Sequence, residues 1–482
     1  MITITVLSIL FLAAIGAPLF AIMGVATLMC LALFTDLTNF SDMTLLIQHM
    51  ENLATKQEFL AIPLFIASGA IMTAGGIARR LVDLTQSLLG WMPGGLAVSA
   101  VAACMFFAAI SGSSPVTLIA VGSMMVPALI KNKYPENFSI GLVTTAGSLG
   151  CLVPPSISML IYAISVSGAS TVDPSDLFLA GLIPACFIAG LLSIYSIWVG
   201  LGIKDSRIPF SIKDVKEKAA DGIWALFLPV IVLGGIYGGW YTPSQAGAVA
   251  VVYSLFLTMY VYDELKLPTV LTSLRDAAVL MGALLPIIVL AFGLNDFLAL
   301  VNVQDKLMDG IKELNPSPAQ FMLLVNVILI VLGALMDSIS ATLIFAPMLA
   351  PIAQELFGID PIHFGIVFVV NMEIGYLMPP VATNLFIASA VFKKSFGQVT
   401  KAVLPTLGLT CFALILIIFM PTISLFALSL RDGKPLMSYF PWRGRPETST
   451  STGAPTNNMP SLKSLTGKML EGVEDEGPKA EE

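Results

Sequence analysis

The chain has 482 residues, 56% of them hydrophobic and only 11% charged, with a mean hydropathy of +0.89. Soluble chains carry about 25% charged residues, so this composition excludes a water-soluble enzyme and indicates a polytopic membrane protein in contact with a lipid bilayer. The net charge of −7 owes much to a terminal acidic run, Glu471, Glu474, Asp475, Glu476, Glu481 and Glu482, and no basic stripe suited to nucleic acid is present.

Apolar runs of spanning length recur from Ile2 to Leu430. A transmembrane β-barrel would instead show alternating stretches of about ten residues, so the expected fold is all-α. The runs lie near 2–16, 18–34, 59–74, 95–130, 139–166 and 177–203; after a polar stretch, 204–221, they resume near 222–240, 243–261, 277–301, 318–352, 363–392 and 402–430. The first run lacks a basic leader and a small-residue cleavage site, which predicts a retained span rather than a signal peptide. Beyond Arg431 the chain turns to Pro, Ser, Thr, Gly and charge, so 431–482 is expected to be a disordered hydrophilic tail. Cys30, Cys104, Cys151, Cys186 and Cys411 lie in apolar stretches without metal-like spacing and read as packing residues, and His49 and His363 are too far apart to suggest a shared site.

The two halves align at a fixed shift of 225 residues. Pro18 falls on Pro243, Ser113 on Ser338, and Thr117-Leu-Ile119 on Thr342-Leu-Ile344, while Gly150-Cys-Leu-Val-Pro-Pro155 falls on Gly375-Tyr-Leu-Met-Pro-Pro380. This pattern predicts a duplication, with repeats at 1–203 and 222–430 joined by a linker at 204–221. Lys131 and Lys133 mark the 131–137 connection, whereas its counterpart 356–362 has no lysine; 168–176 holds only Asp173 and Asp176, whereas 393–401 holds Lys393, Lys394 and Lys401. Cytoplasmic loops collect Lys and Arg, so equivalent loops are expected on opposite sides, as in an inverted repeat with a cytoplasmic linker. Arg431, Lys434, Arg443 and Arg445 then begin a tail that inversion would place outside, but charges in long tails orient only weakly.

Two features interrupt the spans in both halves. Gly147-Ser-Leu-Gly150 runs into Pro154-Pro155, and Glu373-Ile-Gly375 into Pro379-Pro380, so 139–166 and 363–392 are expected to be broken helices. Ser111-Gly-Ser-Ser-Pro-Val-Thr117 and Asp337-Ser-Ile-Ser-Ala-Thr342 interrupt 95–130 and 318–352, as expected of re-entrant hairpins. Freed backbone groups at such breaks are tolerated only inside protein or beside a cavity, and matched breaks point to a site for a small ion or substrate. Hydroxyls and carbonyls suit sodium, so the expected ion site takes in Ser113, Thr117, Gly147, Gly150, Asp337, Ser338, Thr342, Asn371 and Gly375. Ser111, Ser114, Pro154, Pro155, Pro379, Pro380 and Thr383 are the expected substrate residues. Asp337 and Glu373 are intramembrane acids, suited either to proton or cation coupling or to local hydrogen bonding; Asn371 and Asn384 read as structural or secondary ligands. No cation sits at the breaks, so an anion would be held by half-helix N-termini and small polar groups. Arg79 and Arg80 mark a cytoplasmic membrane surface. No phosphate-binding loop is present, so energy must come from a gradient or another subunit.

Phe107-Ala-Ala-Ile-Ser-Gly-Ser-Ser-Pro-Val-Thr117, Gly147-Ser-Leu-Gly-Cys-Leu-Val-Pro-Pro-Ser156, Tyr241-Thr-Pro-Ser-Gln-Ala-Gly247, and Pro361-Ile-His-Phe-Gly365 with Gly375-Tyr-Leu-Met-Pro-Pro380 resemble, in order over about residues 1–430, the large membrane subunit of TRAP (tripartite ATP-independent periplasmic) transporters. The resemblance implies a sodium-driven importer of a small organic anion in the bacterial inner membrane, with a small four-helix membrane subunit and a periplasmic substrate-binding protein as partners. It also implies an elevator-type fold and no enzymatic cofactor. Gln245 departs from the family's usual Glu, and the tail is longer than the family norm. The alternative is a stand-alone sodium-coupled carboxylate carrier; a membrane enzyme would need clustered His, Cys or acid motifs, and a scaffold would not need duplicated breaks.

Overall fold

The computed structural model describes residues 8, 19–34, 57–167, 172–203 and 209–435. The 2–16 run apart from Ser8, His49, the cations Lys204 and Arg207, and residues 436–482 of the tail lie outside the described residues.

Among the described residues the chain is helical throughout. The first half contains α1 (Leu19–Phe34), α2 (Gln57–Ala74), α3 (Ile77–Leu89), α4 (Gly95–Ser111), α5 (Ser114–Lys131), α6 (Glu136–Ser148), α7 (Ile157–Val166) and α8 (Pro174–Gly200). The second contains α9 (Ile212–Tyr237), α10 (Pro243–Phe256), α11 (Leu267–Leu300), α12 (Val303–Leu314), α13 (Pro318–Leu335), α14 (Ser338–Phe357), α15 (Pro361–Gly375), α16 (Thr383–Phe392), α17 (Phe396–Phe419) and α18 (Pro421–Asp432). Eight of the described helices are long and apolar enough to cross a membrane, or nine if α2 and α3, which meet at 70°, form one bent span. Their outward faces carry apolar side chains such as Val230, Val252, Trp198 and Val327, all exposed, as expected where the surrounding solvent is lipid.

Several helix starts follow from capping chemistry, since each first turn leaves backbone N–H groups without partners. Asp173, Ser211, Asp337, Asp360 and Ser395 each accept from such an N–H. Thr242 with Gln245, and Ser317 with Gln320, complete reciprocal capping boxes. Gln245 therefore needs only a neutral side-chain oxygen, which accepts from the Thr242 N–H at 3.0 Å. Several boundaries differ from the sequence reading. Ser211 starts α9 inside the stretch read as a linker, the 277–301 run is the later part of a 34-residue helix, and Pro421 divides 402–430 into α17 and α18. The short helices α3 and α12 leave no apolar run in the sequence because their charged faces, including Arg79-Arg80 and Asp305-Lys306, dilute hydropathy over a span-length stretch.

The helix order repeats at the 225-residue shift. Moved by that distance, α3, α4, α5, α6 and α7 fall on α12, α13, α14, α15 and α16 within a few residues at each end. Packing is reciprocal as well: α1 lies on α11 and α10 on α2; α6 on α17 and α15 on α8; α5 on α16 and α14 on α7. Thr27 Oγ1 donates to Leu290 O at 3.1 Å across the first pair, and Ser68 Oγ donates to Ala250 O at 3.2 Å across its counterpart. Ser148 and Glu373, 225 residues apart, touch directly, with Ser148 Oγ donating to Glu373 Oε1 at 2.8 Å.

The α6–α17 crossing depends on close approach at Gly141, where an added Cβ would stand 2.0 Å from the Ala402 carbonyl oxygen. Beside it the Thr145 and Thr406 hydroxyls lie 2.7 Å apart. Gly141→Ala should force the two backbones apart and cost about 1–3 kcal/mol, seen as a lower melting temperature of the purified protein. Gly408→Ala, where nothing lies within 4 Å, should leave melting unchanged or raise it. Equal melting of the two variants would show that the crossing is not close-packed.

Candidate functional site

Helix α4 ends where Gly112 adopts φ 59°, a left-handed conformation that glycine enters without a Cβ penalty, and Ser113 returns to extended backbone before α5. The two helices therefore meet at a serine tip. Thr117 Oγ1 donates to Ser113 O at 2.8 Å and lies 2.9 Å from Ser111 Oγ, so three residues of the tip form one hydroxyl–carbonyl cluster. Helix α6 ends in a 3-10 turn, Leu149–Cys151, and α7 starts only at Ile157, capped by Ser156. The tip packs directly into this break: Ile157 N donates to Gly112 O at 3.3 Å, and a Cβ on Gly150 would lie 2.6 Å from the Ser113 carbonyl carbon. Gly147 lies against Leu118 one turn away.

The second half is built similarly but closes differently. Asp337 caps α14, its Oδ2 accepting from Ser340 N at 3.0 Å, and Thr342 Oγ1 donates to Ser338 O at 2.6 Å, repeating the Thr117–Ser113 bond. Ser338 Oγ donates to Tyr376 OH at 2.9 Å, joining the tip to the second break. Gly375 packs against Gly333, where a Cβ would lie 2.5 Å from the carbonyl carbon. Asn371 Nδ2 donates to Asn326 Oδ1 at 2.5 Å, and Asn384 Nδ2 reaches across to Ser114 Oγ at 2.6 Å. Asp337 Oδ1, Asn371 Oδ1, Glu373 Oε2 and Asn384 Oδ1 are buried with no hydrogen-bond partner among the described residues.

A cavity of about 250 Å³ opens on the first tip, lined by Ser111, Gly112, Ser113 and Ser114. Cys151, Ile157 and Ser158 line it from the first break, and Tyr376 and Ile339 from the second half. Ile66 and Gly69 of α2 and Leu280 and Leu284 of α11 form an opposing wall that is largely aliphatic. Of the residues expected from sequence, Ser111, Ser113 and Ser114 line this space, and Thr117 and Gly150 shape its serine wall. Pro154 and Pro155 are buried behind it, joined by a cis peptide bond. Pro379 and Pro380, also joined in cis, are exposed and do not line it, and Thr383 is half-buried outside it. Tyr376, Cys151, Ser158 and the α2–α11 wall also line it and are not among the residues expected from sequence. Tyr376 and Cys151 occupy equivalent places in the Gly-x-Leu-x-Pro-Pro motifs next to each key glycine, which was the available signal; nothing in the sequence marked the wall.

The family model for the tripartite ATP-independent periplasmic transporter, DctM component, matches residues 6–423. The C4-dicarboxylate TRAP transporter large permease protein DctM of Pseudomonas aeruginosa is 42% identical over 370 residues, covering 76% of this chain and 85% of that protein. The protein of the same name in Vibrio cholerae is 37% identical over 447 residues, covering 88% and 96%. Among solved structures the YdaH transporter of Alcanivorax borkumensis shares the fold, with a TM-score of 0.59 at 14% identity, covering 84% of this chain and 92% of that one. A serine tip seated in a broken helix, the same arrangement repeated in the second half and the match over nearly the whole spanning region agree: the chain is a multi-pass membrane protein that belongs to the DctM family of TRAP transporter large permeases.

Proposed function

We propose that this chain carries a small organic anion, of the C4-dicarboxylate class or a related carboxylate, inward across the bacterial cytoplasmic membrane on a sodium gradient. In this reading a periplasmic binding protein delivers the anion and a small four-helix membrane subunit completes the carrier. Family membership and the relatives' substrate names support the cargo class. The observation that carries the reading is the cavity bounded by Ser111–Ser114 of one half and Tyr376 of the other. Serine hydroxyls and the first turn of α5, which borders the cavity, can donate to a carboxylate there, while the Ser111–Ser113–Thr117 cluster and the unpartnered buried oxygens of the second half offer the neutral or singly charged oxygen set that a hard cation accepts. Transport then requires the two tips and two breaks to move together against α2 and α11, an elevator motion that exposes the cavity to either side.

Opposite orientation of the repeats is supported by charge. The 131–137 and 393–401 connections meet through the Lys394–Glu136 ion pair, forming a basic end. Their counterparts meet where Asp176 and Asp360 line one pocket, forming an acidic end. Arg431, which opens the tail, lies 2.6 Å from Asp176 and also pairs with Asp432, and Lys434 pairs with Asp432. These two cations run against the charge rule, which counts Lys and Arg and not net charge, but charges that open a long tail orient a chain only weakly.

Two experiments test the reading. In a background freed of the five native cysteines, Asp173→Cys should react with an impermeant thiol reagent from outside intact cells, and Gly397→Cys only after the inner face is opened. Reaction of both from one side would refute the inversion. In proteoliposomes holding both membrane subunits and supplied with loaded binding protein, uptake should require an inward sodium gradient. Thr117→Val removes a hydroxyl from the cluster and one of the donors to Ser113 O, a loss of about 1–3 kcal/mol, so half-maximal transport should need about 5- to 150-fold more sodium. Unchanged sodium dependence with reduced protein abundance would make the cluster a helix-packing device. Robust uptake by this chain alone would favour the stand-alone carrier.

A further inference from the structure

A second cavity, of about 480 Å³, lies at the basic end, away from the serine tips. Lys131 closes α5, Lys393 ends α16 with a left-handed backbone (φ 53°), and Lys394 follows it; all three line the space together with Glu136. Lys394 is paired with Glu136, whereas Lys131 and Lys393 are exposed and have no acidic partner among the described residues. The cavity therefore keeps two uncompensated positive charges. Most of the remaining lining is apolar, including Val126, Ile130, Ile140 and Phe392.

Lysines at helix C-termini offset the carbonyl ends of the helix dipole, which accounts for one cation per helix. It does not account for a cleft that brings two such termini from opposite halves together beside an aliphatic wall. A soluble anion would use the lysines and leave the apolar surface in water, whereas an anionic phospholipid would satisfy both, its phosphate on the lysines and an acyl chain along Val126, Ile130 and Phe392. The inner leaflet supplies such lipids, and basic pockets between spanning helices on that side suit their headgroups. We infer that this cleft is a binding site for an anionic phospholipid, whose headgroup phosphate bridges α5 of the first half and α16 of the second. The inference borrows from the proposed function only the inward placement of the basic end, which the cysteine labelling tests separately.

The test uses the full-length chain purified in neutral detergent, with melting temperature followed as phosphatidylglycerol, phosphatidylcholine or inorganic phosphate is added. Phosphatidylglycerol should raise the melting temperature saturably, and the other two should not. The Lys131→Gln/Lys393→Gln double variant should melt like the parent without lipid and bind phosphatidylglycerol about thirtyfold more weakly, the loss expected for two membrane-surface lysines. Lys131→Arg/Lys393→Arg should restore binding, which separates loss of the site from loss of the fold. The inference is overturned if phosphatidylcholine acts as well as phosphatidylglycerol, if inorganic phosphate alone reproduces the effect, or if the glutamine variant binds like the parent.

Discussion

Inside a bilayer no water is at hand for an unpaired backbone group, so every interruption of a helix must be answered by protein or enclosed in a cavity. This constraint explains where the interruptions of this chain sit. The first break, between Ser148 and Ile157, receives the Gly112–Ser113 tip, and Ser156 Oγ meets the Cys151 carbonyl inside it. In the second tip Asp337 accepts the Ser340 N–H that the start of α14 leaves open. Residues that would be poor choices in an unbroken span are therefore required where they occur. Among the described residues, the buried polar atoms left without partners include oxygens near the second break, Asp337 Oδ1, Asn371 Oδ1, Glu373 Oε2 and Asn384 Oδ1.

Duplication turns one such arrangement into two and joins them. Each half packs its helices on the counterparts of its own partners, and Ser148 meets Glu373, its equivalent 225 residues on, by a direct hydrogen bond. In the proposed inverted arrangement such a contact between equivalent residues would lie close to the axis that relates the halves. It also means that neither break can shift far without disturbing the other. The halves are not copies, however. The first Pro-Pro pair is buried and the second exposed, and the cavity opens on the first tip while the second half contributes Tyr376.

Much of this was legible in the sequence because membrane helices leave a long apolar signal and breaks leave Gly, Ser and paired Pro. Ser111, Ser113, Ser114, Thr117 and Gly150 come together as their pattern suggested. Tyr376 was hidden because a tyrosine in an apolar run reads as packing until its hydroxyl is seen accepting from Ser338. Leu280 and Leu284 could not be found at all, since wall residues of a cavity differ from lipid-facing leucines only in their tertiary surroundings. Hydropathy averaging hid α3 and α12, and the charged first turns of α9 looked like a linker although Ser211 caps a helix there. Pro379 and Pro380 share a motif with Pro154 and Pro155, and their exposure shows how far two halves with one motif can diverge.

In the proposed mechanism, cargo occupies the space between the first serine tip and Tyr376. Electron cryo-microscopy of the complete membrane complex, prepared with saturating organic anion and sodium, addresses it most directly. The account predicts density for the anion within hydrogen-bonding reach of Ser111–Ser114 and beside Tyr376. Clear anion density elsewhere, with this cavity empty or filled by side chains, would contradict it.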